Sequence, residues 1–226
     1  VTLFTRLSLA AALLVLLAPA ALAAQKAQPP AAKAQALARG FGQAAWGEDL
    51  SRREGFLKLR SQDGVDYAVY LRENFQLGGA KATVYYASAG GRFYAAHVRL
   101  PAGSDLKALS VDLTKLFGAS KSSRQDGMPL HQWKTGKVRV KLKELPGGEA
   151  RLSFYHQSAA GPLTAALRDA DLPAGDLPAP VAGDVAGVKS PSPGMPKPQP
   201  DQVPIDVLYY LKEGSQLLRL EKPSGY

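Results

Sequence analysis

His97, His131 and His156 are the side chains best suited to metal binding or proton transfer in a chain with no cysteine. All three fall in stretches that alternate like β-strands, and three imidazoles on neighbouring strands would make a zinc site. No pair has the H-x-H or H-x-x-x-H spacing that puts two rings on one face, so no metal is expected. Strand histidines more commonly sit at a surface or in a hydrogen bond. Nucleophilic catalysis has no better footing. There is no G-x-S-x-G elbow, and Ser120, Ser122 and Ser123 stand in a polar loop-like run. Asp and Glu are scattered without a pair suited to acid–base work. No catalytic residue and no cofactor is assigned, and an enzyme of hydrolase type is the third-ranked reading.

The glycine pairs Gly78-Gly79, Gly90-Gly91 and Gly147-Gly148 resemble phosphate loops only superficially. A phosphate cradle needs a strand, then glycines, then a helix amino terminus, whereas each pair here joins two strand-like runs. They read as hairpin turns.

Charge is more informative. Between Gly40 and His156 stand 18 Lys plus Arg against 11 Asp plus Glu, so this part holds +7 of the chain's +9. Val138-Arg139-Val140-Lys141-Leu142-Lys143 alternates cleanly, with one apolar and one cationic face. Arg139, Lys141 and Lys143 would project beside Lys137, and Arg151 of the following strand can join them. Such a ladder suits an anionic envelope component, a phospholipid headgroup or an acidic polysaccharide. The simpler reading is a solvated face whose lysines discourage edge pairing. Nucleic acid is not an expected partner for an exported chain, although Tyr85, Phe93 and Tyr94 could stack bases in another setting.

The elements that position these residues follow from periodicity. The run from Lys81 to Leu100 reads as a hairpin turning at Ser88-Ala89-Gly90-Gly91, and it is aromatic on both faces. Counting in twos groups Val84, Tyr86, Tyr94, Ala96, Val98 and Leu100 on one side and Tyr85, Phe93 and His97 on the other. A strand pair apolar on both sides belongs at the centre of a sheet, leaving only His97 and Arg99 there as surface candidates. Phe56 to Leu71 is a second hairpin turning at Ser61-Gln62-Asp63-Gly64, with Phe56 out of phase with Leu57 and Leu59. Trp46 is assigned to the core. Leu106, Leu109, Leu113, Leu116 and Phe117 make one helical stripe, with Ser104 as N-cap and Gly118 closing the end. Ala119 to Gly127 reads as a polar loop. Strands resume at Leu130–Trp133, Val138–Lys143 and Ala150–His156.

Both ends of the chain have a different character. Arg6, the apolar run Leu7–Ala18, Pro19 and Ala21-Leu22-Ala23 make a secretory signal with cleavage expected after Ala23. An uncleaved anchor is the rival, weakened by Pro19 and the alanine-rich end. Val1 fits a non-AUG start and hence a bacterial gene. Without cysteine, neither a lipidated amino terminus nor disulfides are available, so a soluble periplasmic or secreted protein with an ordinary core and no membrane span after cleavage is expected. Residues 24–40 form a flexible leader, 41–157 the globular domain, 158–204 a Pro/Ala/Gly-rich linker and 205–226 an apolar C-terminal segment. In that last segment Val207, Leu208, Tyr209, Tyr210, Leu211, Leu217 and Leu218 would form a short hairpin around Gly214, with an amphipathic helix as the alternative. It would either dock on a protein partner or fold back on its own domain. The fold expected is α+β: an antiparallel sheet of hairpins with one amphipathic helix packed on a face. The function expected is a non-enzymatic exported interaction or envelope-associated module, with anionic-ligand binding through the basic strand face as the alternative.

Overall fold

The structure, a computed structural model, describes residues 35–71, 73–159 and 204–213. The signal-peptide assignment, most of the leader and linker, and Leu217 and Leu218 of the tail lie outside these residues.

The chain is α+β and mostly antiparallel sheet. Helix α1 (Gln35–Arg39) leads into a small hairpin of β1 (Gly40–Phe41) and β2 (Ala44–Ala45), and a 3-10 turn follows at Leu50–Arg52. The main sheet contains β3 (Phe56–Gln62), β4 (Val65–Tyr70), β5 (Phe75–Leu77), β6 (Ala80–Ala89) and β7 (Arg92–Leu100). Helix α2 (Leu106–Phe117) then intervenes, followed by β8 (Lys121–Gln125), β9 (Met128–Thr135), β10 (Val138–Glu144) and β11 (Ala150–His156). After the undescribed residues come β12 (Ile205–Asp206) and helix α3 (Val207–Glu213).

Strand order runs β12-β5-β6-β7-β11-β10-β9-β8. The long β6 carries two neighbours along one edge: β5 beside Ala80–Ala82, and β4, itself paired with β3, beside Tyr86–Ala89. Among the described residues every strand pair is antiparallel except β12 with β5. The β6–β7 hairpin therefore lies inside the sheet. Gly90 and Gly91 both take positive φ, 54° and 78°, the turn whose twist matches that of the flanking strands.

Its two faces feed two cores. On the first face Val84, Tyr86, Phe93, Ala96 and Val98 pack with Phe41, Phe154, Val140 and Leu142, and Leu37, Leu113, Val207, Tyr210 and Leu211 join them from α1, α2 and α3. On the second face Tyr85, Ala87, Tyr94 and Ala95 pack with Val65, Tyr67, Val69 and Tyr155. Phe93 and Tyr94 are exchanged relative to the period-2 count. The ladder runs from Ala87↔Ala95 to Ser88↔Phe93, so Tyr94 is bulged out of register and Phe93, on the turn side of it, changes face while Ala96 and Val98 keep theirs. Phe93 thereby stacks on Trp46, ring centroids 4.6 Å apart.

Other expectations are revised. Lys121–Gln125, read as loop, is strand β8, mostly exposed and paired along its length with β9. Its backbone ladder supplies what its side chains do not, which is why hydrophobic alternation misses it. The N-cap of α2 is Asp105, whose carboxylate accepts from the Ala108 amide at 2.9 Å, because the Ser104 hydroxyl is given to the Pro101 carbonyl at 2.7 Å. Of the helical stripe, Leu109 and Leu113 are buried, while Leu106, Leu116 and Phe117 are partly buried against the same cluster. Val207–Glu213 is helical where a hairpin strand was expected. Val207, Tyr210 and Leu211, spaced three and four apart, share the buried side, a period that fits a helix and not a strand. Packed chain also begins before Phe41, since Leu37 of α1 is buried and its carbonyl accepts from Trp46 Nε1 at 2.6 Å.

Leu113 is fully enclosed beneath α2. Leu113→Asp places a carboxylate there and is expected to remove several kcal/mol, about 4 or more, enough to abolish cooperative unfolding at room temperature. A circular-dichroism melt with an unchanged midpoint would contradict this placement.

Candidate functional site

The basic residues lie on the second sheet face, where register sets them in rows. Lys143 stands opposite Arg151, which stands opposite Arg99. The adjacent row is Lys141, Ser153, His97 and Tyr85. Arg139 faces Tyr155 in the next. Three adjacent strands, β10, β11 and β7, thus bring together Arg139, Lys141, Lys143 and Arg151, with His97, Arg99 and Ser153 among them. The sequence pattern identifies the first four. Ser153 was legible by the same alternation, since it shares a face with Arg151 and Tyr155; His97 and Arg99 enter only through strand order.

Burial is the unexpected property. Lys141, Lys143 and Arg151 each keep only 8% of their surface, Arg139 is half-buried, and Lys137 alone is exposed, at the hairpin turn. A solvated strand face is therefore ruled out for the three most central cations. Like charges directly opposite one another repel, so such an array needs compensation. Part of it is local: Asp126 meets Lys143 at 2.9 Å, Glu149 grips Arg99 at 2.9 and 3.1 Å, and Lys141 lies 4.9 Å over the Tyr155 ring. At the centre His97 Nδ1 and Ser153 Oγ are 2.9 Å apart. Burial, and then the Arg151 and Lys141 charges, hold His97 well below the ordinary histidine value, so the ring is neutral. The arrangement is a row of buried cations around a neutral imidazole and a hydroxyl.

The other histidines lie on the opposite face. His131 Nδ1 is 3.0 Å from Ser122 Oγ, and His156 stacks beside Trp46 with its pKa lowered by burial and then by Lys137. Among the described residues no group of His, Asp and Glu has the arrangement of a metal site.

A second polar cluster, absent from the sequence reading, lies on the first face. Glu73, in the link before β5, accepts from the Tyr86 hydroxyl and, at 3.0 Å, from the Gln43 amide. Glu73 is partly exposed as a residue, yet its carboxyl end is desolvated; burial raises its pKa to about 7, against the hydrogen bonds from Tyr86 and Gln43 and the charge of Arg53. Arg53 is itself held by both Glu48 oxygens at 2.9 Å. Tyr210 of α3 completes the cluster: burial pushes its hydroxyl up, opposed by a hydrogen bond from the Gly42 amide. Gly42 has φ +56°, and a Cβ there would lie 2.7 Å from Glu73 Oε1 and closer still to the Tyr86 hydroxyl. No local signal marks Glu73, because a glutamate in a connecting stretch looks like any surface residue.

Of the tail residues, Val207, Tyr210 and Leu211 are buried, Leu208 is partly buried and Tyr209 is half exposed. Among the described residues no helix is long and apolar enough to cross a membrane. The chain matches no family model, and comparison with curated proteins and with solved structures finds no match.

Gly42→Ala is expected to cost at least about 2 kcal/mol in urea unfolding, through the positive φ and the collision with the Glu73–Tyr86 pair. The raised Glu73 pKa makes a second prediction. The unfolded chain ionises this carboxyl near the ordinary value of about 4.5, and the folded chain only near 7. Its contribution is thus full below about pH 4.5, falls as pH rises to about 7, and stays lost above, a total of about 3 kcal/mol. Glu73→Gln should flatten that part of the stability–pH curve, measured by denaturant titration at several pH values.

Proposed function

We propose that this chain is an exported, non-enzymatic module of the bacterial envelope that binds an anionic ligand through the second face of its sheet. One observation carries the reading: Lys143, Arg151 and Arg99 lie in direct cross-strand register, with Lys141, Ser153 and His97 in the row beside them. Cations gathered in this register give the face a positive field that attracts an anion. Arg151 carries a planar guanidinium of the shape that matches carboxylate and phosphate oxygens, while Arg99 is engaged by Glu149. The neutral His97 ring and the Ser153 hydroxyl add hydrogen-bonding capacity without further charge. The low exposure of the central three favours a compact charged group over a broad polyanionic surface. The signal-like amino terminus, Arg6 followed by the apolar run Leu7–Ala18 and Ala21-Leu22-Ala23, supports export.

The C-terminal segment is better read as part of this domain than as a free docking element. Burial of Val207, Tyr210 and Leu211 in the core shared with Phe41 and Phe154 supports the fold-back reading.

The test is binding of the mature protein to vesicles containing anionic phospholipid and, separately, to acidic cell-wall polysaccharide. Arg139→Gln, Lys141→Gln and Lys143→Gln together should weaken binding by about tenfold or more and reduce its salt dependence. Unchanged affinity in a folded triple variant would remove the basic face from consideration.

A further inference from the structure

The cluster around Glu73 ties three distant parts of the chain together. The Gly42–Gln43 turn donates two backbone amides, one to Glu73 and one to Tyr210. Tyr86 comes from the central strand β6 and Tyr210 from α3. The backbone beside Glu73 serves the same joint: the Asn74 carbonyl accepts from the Ile205 amide at 2.8 Å, and Phe75 pairs with Ile205. Backbone 74–75 therefore holds the C-terminal element directly, and the Glu73 side chain meets it through the Gly42–Gln43 turn that it shares with Tyr210.

That element has little structure of its own. Helix α3 has seven residues, too few to be stable alone, and β12 contributes a two-residue parallel pair. Its hold comes from Val207, Tyr210 and Leu211 in the core, from the pairing of residues 74–75 with Ile205 and from the Gly42 amide at Tyr210. In contrast, β6 is paired along both edges and cannot yield without breaking the sheet.

We propose that Glu73 is a proton-controlled latch for the C-terminal segment, closed over β5 while its carboxyl is neutral and released when the carboxyl ionises and draws in water. The surrounding groups leave Glu73 as the one that changes charge near neutrality. Tyr86 and Tyr210 are both pushed upward by burial and remain phenols. Arg53, the cation facing the carboxyl, is shared with Glu48. Across α3, Asp112 of α2 faces Lys212 and is held below the usual carboxylate range, chiefly by Lys115, so it stays ionised throughout. This device is independent of the anion-binding reading, because its residues lie on the opposite sheet face.

Hydrogen–deuterium exchange of the mature chain at about pH 5.5 and about pH 8, corrected for intrinsic exchange rates, tests it. Protection of residues 205–213 should be about tenfold lower at the higher pH, with β7 and β11 unchanged, and Glu73→Gln should hold protection within about twofold at both. Equal wild-type protection at the two values, or the same pH dependence in Glu73→Gln, overturns the proposal. Should the variant fail to fold, a carbon-13 carboxyl titration of the wild-type chain decides. A Glu73 midpoint coinciding with the midpoint of the protection change supports the latch, and a midpoint at the ordinary glutamate value overturns it.

Discussion

Two-sided burial of the β6–β7 hairpin is the constraint from which the rest of the structure follows. Tyr86, Phe93 and Val98 must be covered on one face, and Tyr85, Tyr94 and Ala95 on the other. A sheet that is apolar on both sides of its centre needs apolar partners above and below. On the first face they come from α1, α2, α3 and the β1–β2 turn, so segments far apart in sequence meet over the same strands. On the second face the apolar cover gives way, across β7, β11 and β10, to cations.

The two polar clusters are different answers to one electrostatic problem. A carboxyl taken out of water can become neutral, and Glu73 does so within the accessible pH range. An arginine cannot, and a lysine yields its proton less readily than it finds a partner. Lys143 and Arg99 accordingly keep their charge beside Asp126 and Glu149, while His97, the one neighbour able to discharge at little cost, is neutral. One face stores its cost as a proton and the other as paired charge. That contrast makes the first cluster sensitive in its energetics to protonation and the second dependent on its partner carboxylates.

Much of the sheet was legible because its turns are written in the chain. Asp63-Gly64, Gly78-Gly79 and Gly90-Gly91 all adopt consecutive positive φ values at the points where strand patterns break. The alternation in β10 likewise located the cationic residues on one face. What escaped detection depended on non-local pairing. The bulge at Tyr94 leaves no mark in composition, yet it sends Phe93 to Trp46. Strand β8 is polar on nearly every side chain and exists through its ladder with β9. The cations read as solvated because alternation reports which face a residue occupies, not whether anything covers that face. Glu73 gave no warning, since its burial is produced by residues 43, 86 and 210, none of them adjacent in sequence.

The parallel β12–β5 pair bears on the order of assembly. The antiparallel pairs β3–β4, β5–β6, β6–β7, β8–β9, β9–β10 and β10–β11 are each closed by a connection of a few residues, β4–β6 spans β5, and β7–β11 spans α2 and β8–β10. Ile205 reaches Phe75 only after β6 to β11 have been made, and bringing such distant residues together carries the larger entropic cost of a long closure. Those strands can therefore be laid down before residues 205–213 arrive, with Phe41 and Phe154 already in contact and the seat for Tyr210 still open. A chain emerging amino terminus first would hold that seat empty until β12 and α3 close it.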